Sequence, residues 1–134
     1  MNVYGDQLKN CSGPGTALTG FLRDGTCSFN KSDSGSHNVC LKNMRTSEFC
    51  DVTGQYNWCD KSYTCHEDKS KSCKIKNWCI CQWAFASLVE QKGCVDEIEL
   101  KCDAINANVI KDYSLQNTVV SLDALSCIKR KCNL

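Results

Sequence analysis

The sequence predicts a small, disulfide-rich α+β domain, with an irregular, turn-rich N-terminal part, a few short strands and two to three helices. Three observations lead there. At 134 residues the chain sits in the usual range of one domain. Its 13 cysteines, nearly one residue in ten, exceed what a globular core needs and point to cross-linking as a source of stability. Apolar periodicity is strong only in the C-terminal half, from Trp78 onward. Residues 1–134 therefore read as a single domain, with a cysteine-rich loop at about 50–76.

Along the chain, Asn2 to Cys40 is rich in Gly, Ser, Asp and Asn, with Pro14 between two glycines, so turns should dominate. Leu18 to Gly25 reads as an apolar segment closed by an Asp-Gly turn, with room for a short strand. The run Thr46-Ser47-Glu48-Phe49 is placed to open a short helix capped by Thr46. Between Cys50 and Cys73 no period of 2 or 3.6 is visible. A loop stapled by cross-links fits that segment, because its apolar content does not offset the entropy of ordering it.

Trp78 to Gln91 carries the clearest helical pattern, with Gly93 placed to end it and with Trp78, Trp83 and Phe85 expected in the core. Val95 to Cys102 alternates at Ile98, Leu100 and Cys102 as a half-buried strand does. Asp103 is a candidate cap for a helix through Tyr113, with Ile105, Val109, Ile110 and Tyr113 on one face. Ser121 is a candidate cap for a last helix. Leu122, Leu125 and Ile128 form its stripe, and Lys129, Arg130 and Lys131 suit its C-terminal dipole.

Composition excludes several function classes. With 42% hydrophobic and 23% charged residues the chain resembles neither a disordered nor a membrane-embedded protein. The longest apolar stretch, Trp78 to Val89, is broken by Gln82 and Ser87 and falls short of a membrane span. A net charge of +1 lacks the long-range field of a nucleic-acid binder. The basic runs Lys69, Lys71, Lys74, Lys76 and Lys129 to Lys131 have no interleaved aromatics and read as solvated surface. The first six residues show no secretory signal, which sets a start suited to the cytoplasm against a cysteine content suited to an oxidising compartment. A virus particle, whose disulfides form during cytoplasmic assembly, or an organelle with its own oxidation machinery reconciles the two, as does a metal-bound cytosolic protein. The abundance of Lys and Asn matches the coding bias of AT-rich genomes, including many protists and large DNA viruses.

Three ordered motifs carry a resemblance: Leu18-Thr19-Gly20-Phe21-Leu22-Arg23-Asp24-Gly25-Thr26-Cys27, Gly35-Ser36-His37-Asn38-Val39-Cys40, and Trp78-Cys79-Ile80-Cys81-Gln82-Trp83. They resemble the bacterial family catalogued as domain of unknown function 2237, whose members read approximately LTGFxRDGxC, GxHxVC and WCLCxxRW. The opening Asn2 to Gly5, Cys11-Ser12 and Thr46 to Phe49 also resemble that family. The cysteine-rich Cys50 to Cys73 segment departs from it, standing where members have a Gly- and Pro-containing stretch. The resemblance implies a lineage and no activity. It sorts the cysteines: Cys11, Cys27, Cys40, Cys79 and Cys81 match family positions, while Cys50, Cys59, Cys65, Cys73, Cys94, Cys102, Cys127 and Cys132 are additional. Eight is even, as added bridges require. Five is odd, so at least one motif thiol stays unpaired, binds a metal or joins another chain.

Three chemistries are open to these residues. A disulfide framework is the leading expectation, with connectivity undetermined by spacing. Zinc is the alternative cofactor: His37 and Cys40 form an H-x-x-C pair, Cys79 and Cys81 a C-x-C pair, and the four offer soft ligands, although the usual C-x₂-C knuckle is missing. Thiol chemistry is the third, with Arg23, Asp24 and His37 as the motif residues able to activate a cysteine. Against it stands a structural role for each, in which Asp24-Gly25 makes a turn, Arg23 pairs with a carboxylate and His37 bonds a backbone carbonyl. The expected function is that of a non-enzymatic structural or interaction protein with protein partners in a larger assembly such as a virus particle. No cofactor, nucleic acid or membrane span is expected, and a zinc-binding or thiol-redox protein using His37, Cys40, Cys79 and Cys81 is the runner-up.

Overall fold

The computed structural model describes residues 1–134. Its centre is a three-stranded antiparallel sheet. Strand β1 (Val39–Lys42) runs between β4 (Trp78–Ile80) and β5 (Glu99–Leu100), with Cys40 opposite Cys79 and Leu41 opposite both Trp78 and Leu100. Val39, Cys40, Leu41, Cys79 and Ile80 are all buried, so β1 and β4 are covered on both faces. A second, two-stranded sheet pairs β2 (Ser62–Thr64) with β3 (Ser72–Lys74).

Four α-helices surround the main sheet: the one-turn α1 (Phe49–Val52), then α2 (Gln82–Lys92), α3 (Asn108–Gln116) and α4 (Val119–Cys132). Helix α2 packs on α4, and α4 on α3. Their shared core includes Phe85, Leu88, Val109, Tyr113, Ala124 and Ile128, each wholly buried. Each large apolar side chain there contributes about 1.5–3 kcal/mol relative to exposure.

Six disulfides tie this frame together. Cys11–Cys40 and Cys27–Cys79 fasten the turn-rich N-terminal part to β1 and β4. Cys50–Cys59 and Cys65–Cys73 close short loops in the 50–76 segment. Cys94–Cys127 and Cys102–Cys132 anchor α4 near its middle and at its end. The eight additional cysteines thus pair only with one another, and the five motif cysteines make two bridges and leave Cys81 unpaired.

Several boundaries differ from the sequence reading. The segment expected as one helix from Trp78 divides. Residues 78–80 form β4, and Cys81, at φ −58 and ψ 129, turns the chain into α2. A short buried strand and a buried helix turn share the same unbroken apolar pattern, and only pairing with β1 separates them. Trp83, expected in the core, is 39% exposed, because starting the helix at Gln82 rotates it outward. Leu18 to Gly25 forms turns and no strand. The strand expected over Val95 to Cys102 shrinks to Glu99–Leu100, and the helix expected from Asp103 begins at Asn108, after a 3-10 turn at Cys102–Ala104. Thr46 caps nothing; Glu48, in the left-handed region, precedes α1. Thr118 caps α4, and Ser121 sits at the third position of the helix, where its hydroxyl returns the bond in a capping box. Leu122 consequently lies on the outer face, 41% exposed.

Candidate functional site

Gln82, the first residue of α2, fixes the start of the helix against the rest of the core. Its side chain accepts from Asn38 Nδ2 at 2.8 Å and donates through Nε2 to Asp112 at 2.9 Å, its backbone N–H donates to the Ser36 carbonyl at 3.0 Å, and its carbonyl accepts from the Tyr113 hydroxyl. Buried polar groups need such partners, and here they fasten the 36–38 segment, α2 and α3 to one point. The β1–β4 register, extended by these bonds, sets residues 36–38 against residues 81 and 82. Cys81, immediately before the helix, is held by that arrangement.

The Cys81 thiol makes no capping bond to the helix and lines a small cleft shared with His37, Phe49, Trp58, Trp78 and Ala84. The cleft holds about 180 Å³, below the range of sites for drug-sized ligands and suited to an inserted side chain. Cys81 and His37 share the cleft without a hydrogen bond between them.

His37 is oriented by Asp33. Its Nδ1 stands 2.6 Å from Asp33 Oδ1, and its backbone N–H donates to Oδ2 at 2.9 Å. The Asp33 side chain is only 4% exposed, whereas that of His37 is 38% exposed. With Nδ1 engaged, Nε2 is the ring nitrogen left for the cleft. The imidazole lies over Gly35, where an added Cβ would stand 2.5 Å from His37 Cε1. The Gly35-x-His37 pair is therefore a steric unit.

Next to His37 the cleft opens toward Gly20, Phe21 and Arg23. Phe21 lies parallel to the His37 ring at 6.5 Å. Gly20, at φ +100, permits the turn, since a Cβ there would stand 2.5 Å from the Thr26 carbonyl oxygen. Trp58, Tyr63 and Trp78 pack together with ring centroids 5.6–5.8 Å apart, and the Arg23 guanidinium covers Trp78 at 5.0 Å and Tyr63 at 5.3 Å. Burial is the main reason the Tyr113 phenol is held well above its ordinary range, with Cys81 and then Asp112 adding to it, so this hydroxyl stays neutral and donates to Gln82.

The structure thus brings His37, Trp78 and Cys81 to one cleft, sets Arg23 in an adjoining depression that shares His37 and Trp78 with it, and moves other motif residues elsewhere. The zinc set His37, Cys40, Cys79 and Cys81 does not exist in the oxidised chain, because the Cys40 and Cys79 sulfurs are spent in bridges to Cys11 and Cys27. Arg23 pairs with aromatic rings and the Gly20 carbonyl where a carboxylate was expected. His37 bonds a carboxylate where a backbone carbonyl was expected. Asp24 does make the turn, accepting from the Thr26 N–H and hydroxyl at 3.0 Å each. Asp33, Trp58, Tyr63 and Gln82 were not singled out from sequence. A signal existed for Asp33, four residues before His37. None existed for Trp58 and Tyr63, which reach the site only by folding of the 50–76 loop.

A family model described as "Uncharacterized protein conserved in bacteria (DUF2237)" matches residues 1–119. The chain belongs to this family. The DUF2237 match runs through the cysteine-rich middle segment and ends at the start of α4, so the whole cleft lies inside it. No curated protein matches the chain. The six bridges of this DUF2237 protein point to an oxidising environment, and none of its helices is long and apolar enough to cross a membrane.

Proposed function

We propose that this protein is a disulfide-braced interaction protein that receives a side chain of a partner polypeptide in the Cys81 cleft and joins it covalently by thiol–disulfide exchange. One observation carries the reading: of thirteen cysteines only Cys81 is unpaired, and it shares its cleft with an imidazole that a buried carboxylate orients. The thiol proton passes to His37 Nε2. The Cys81 sulfur then attacks one sulfur of an accessible disulfide on the partner. A new sulfur–sulfur bond forms, the partner's bond breaks, and the departing sulfur takes the proton from the imidazolium. No net oxidation occurs.

The surrounding aromatic rings and Arg23 favour a second, noncovalent reading, in which the same cleft docks a partner in a larger assembly such as a virus particle. Aromatic and arginine side chains are the types that dominate binding energy at interfaces. Trapping distinguishes the two. Native material is blocked with iodoacetamide, digested without reductant and mapped by mass spectrometry. A Cys81 peptide disulfide-linked to another polypeptide supports covalent joining. Cys81 recovered entirely alkylated, from a complex that Arg23→Ala dissociates, supports docking alone. A chain that runs as a monomer, with Cys81 unlinked in every fraction, sinks both.

A further inference from the structure

A second group of sulfurs lies in the core, apart from the cleft. The Sγ atoms of Cys11, Cys27 and Cys79 are all within 4.8 Å of one another, and Cys40, bonded to Cys11, sits directly opposite Cys79 across β1 and β4. Two bridges therefore lie side by side in the interior, their four residues no more than 2% exposed. The other four bridges have no such neighbour. The only other cluster, Cys65, Cys73 and Glu67, offers three groups with an exposed carboxylate.

Every chain leaves the ribosome with its thiols reduced, and in that state the sulfurs of Cys11, Cys27 and Cys79 crowd one small apolar volume, with the Cys40 sulfur beside that of Cys11. Breaking a bridge pushes its two sulfurs apart to nonbonded separation. A tetrahedral zinc site with Zn–S of about 2.3 Å places its sulfurs about 3.8 Å from one another, inside the spread already set for Cys11, Cys27 and Cys79. The backbone is positioned as well: β1 and β4 hold Cys40 and Cys79 in register, and the Cys79 N–H is fixed by Thr19 Oγ1 at 2.9 Å. Four thiolates leave no open position, which is the pattern of structural and not catalytic zinc.

We propose that, before its bridges form, the chain holds one zinc ion between Cys11, Cys27, Cys40 and Cys79. The ion orders the same junction of the turn-rich N-terminal part with β1 and β4 that the two disulfides later fasten. Exchange with two small disulfide molecules, such as oxidised glutathione, then yields the bridges. Four electrons pass from the protein sulfurs to those disulfides, four small thiolates leave, and zinc goes to solvent. Cys81 takes no part, so the site is distinct from a set built on His37.

The test uses the wild-type chain, refolded without oxygen in a phosphine reductant with and without zinc chloride, then pulsed with iodoacetamide and mapped by mass spectrometry. Zinc is expected to protect Cys11, Cys27, Cys40 and Cys79 while Cys81 and the peripheral cysteines are alkylated. Cobalt(II) in place of zinc should give the ligand-field and charge-transfer absorption of a tetrahedral tetrathiolate at one equivalent. That absorption should survive in Cys81→Ser and change in Cys79→Ser. Equal alkylation of all thirteen cysteines with and without zinc overturns the proposal. So does a cobalt spectrum lost on Cys81→Ser, or zinc protection centred on any other set.

Discussion

The His37 imidazole meets the buried Asp33 carboxylate at 2.6 Å, four residues back along an irregular segment, and faces the cleft that holds the unpaired Cys81. Asp33 touches no reacting atom in this arrangement; it acts as a positioning residue through the imidazole. Asp33→Asn keeps an acceptor for the His37 backbone N–H and removes the charge. The rate at which Cys81 reacts with an aromatic disulfide reagent should fall by about tenfold or more, and its pH profile should change shape. An unchanged rate and profile assigns Asp33 to folding alone.

Gly35→Ala tests the same geometry by steric means. The added methyl would stand 2.5 Å from His37 Cε1, so the ring must swing away while the backbone stays in an ordinary conformation. Cys81 reactivity is expected to drop toward that of His37→Ala, with a stability loss of about 1 kcal/mol in a urea melt. Wild-type reactivity in the variant argues that the imidazole has no part in activating the thiol.

Thiol titration under denaturing, non-reducing conditions should find one thiol per chain, and mass should rise on reduction by about twelve hydrogens, two for each of six bridges. The bridges should not be equal. Cys27–Cys79 closes a separation of 52 residues and Cys65–Cys73 one of 8, so chain entropy gives about 4 and about 2.5 kcal/mol respectively. Paired alanine substitutions compared by urea unfolding check the order; Cys65–Cys73 proving the costlier loss contradicts it.

Tyr113 predicts an alkaline limit. Burial raises its phenol above the unfolded value near 10, so the neutral form stabilises the fold fully below about pH 10, and the contribution is lost as pH climbs beyond it. Tyr113→Phe should cost about 1 kcal/mol at neutral pH by removing the buried phenol's bond to the Gln82 carbonyl, which keeps its intrahelical donor. The variant should also lose less stability than wild type between pH 9 and about 11. Parallel curves for the two proteins would place the alkaline transition elsewhere.

Removing the Arg23 guanidinium tests the aromatic wall. Arg23→Ala uncovers Trp78 and Tyr63 and should cost about 0.5–2 kcal/mol, with a change in tryptophan emission. Arg23→Lys should recover part of it, since a compact ammonium covers one ring face less well than a planar guanidinium. No spectral change in either variant means that the contact contributes nothing in solution.

Residue identity alone determined a good deal. The α+β class followed from length, cysteine density and the apolar pattern after Trp78, and parity among the motif cysteines required that an odd thiol be left over. The apolar run after Trp78 located α2 without its start, and helical periodicity located α4, because one-sided burial of a helix writes itself into the sequence every three to four residues. Tertiary structure decided which thiol that is. Cys40 and Cys79 face each other only because β1 and β4 pair, an alignment of residues 39 apart that no local pattern encodes, and their bridges to Cys11 and Cys27 take both sulfurs out of any set with His37. Trp58 reaches the cleft, and Tyr63 packs behind it on Trp58 and Trp78, through a loop whose own residues have no period, and Asp33 reaches His37 through turns. Local propensity acts over a few bonds, whereas the cleft is assembled from segments that meet only when the core closes over them.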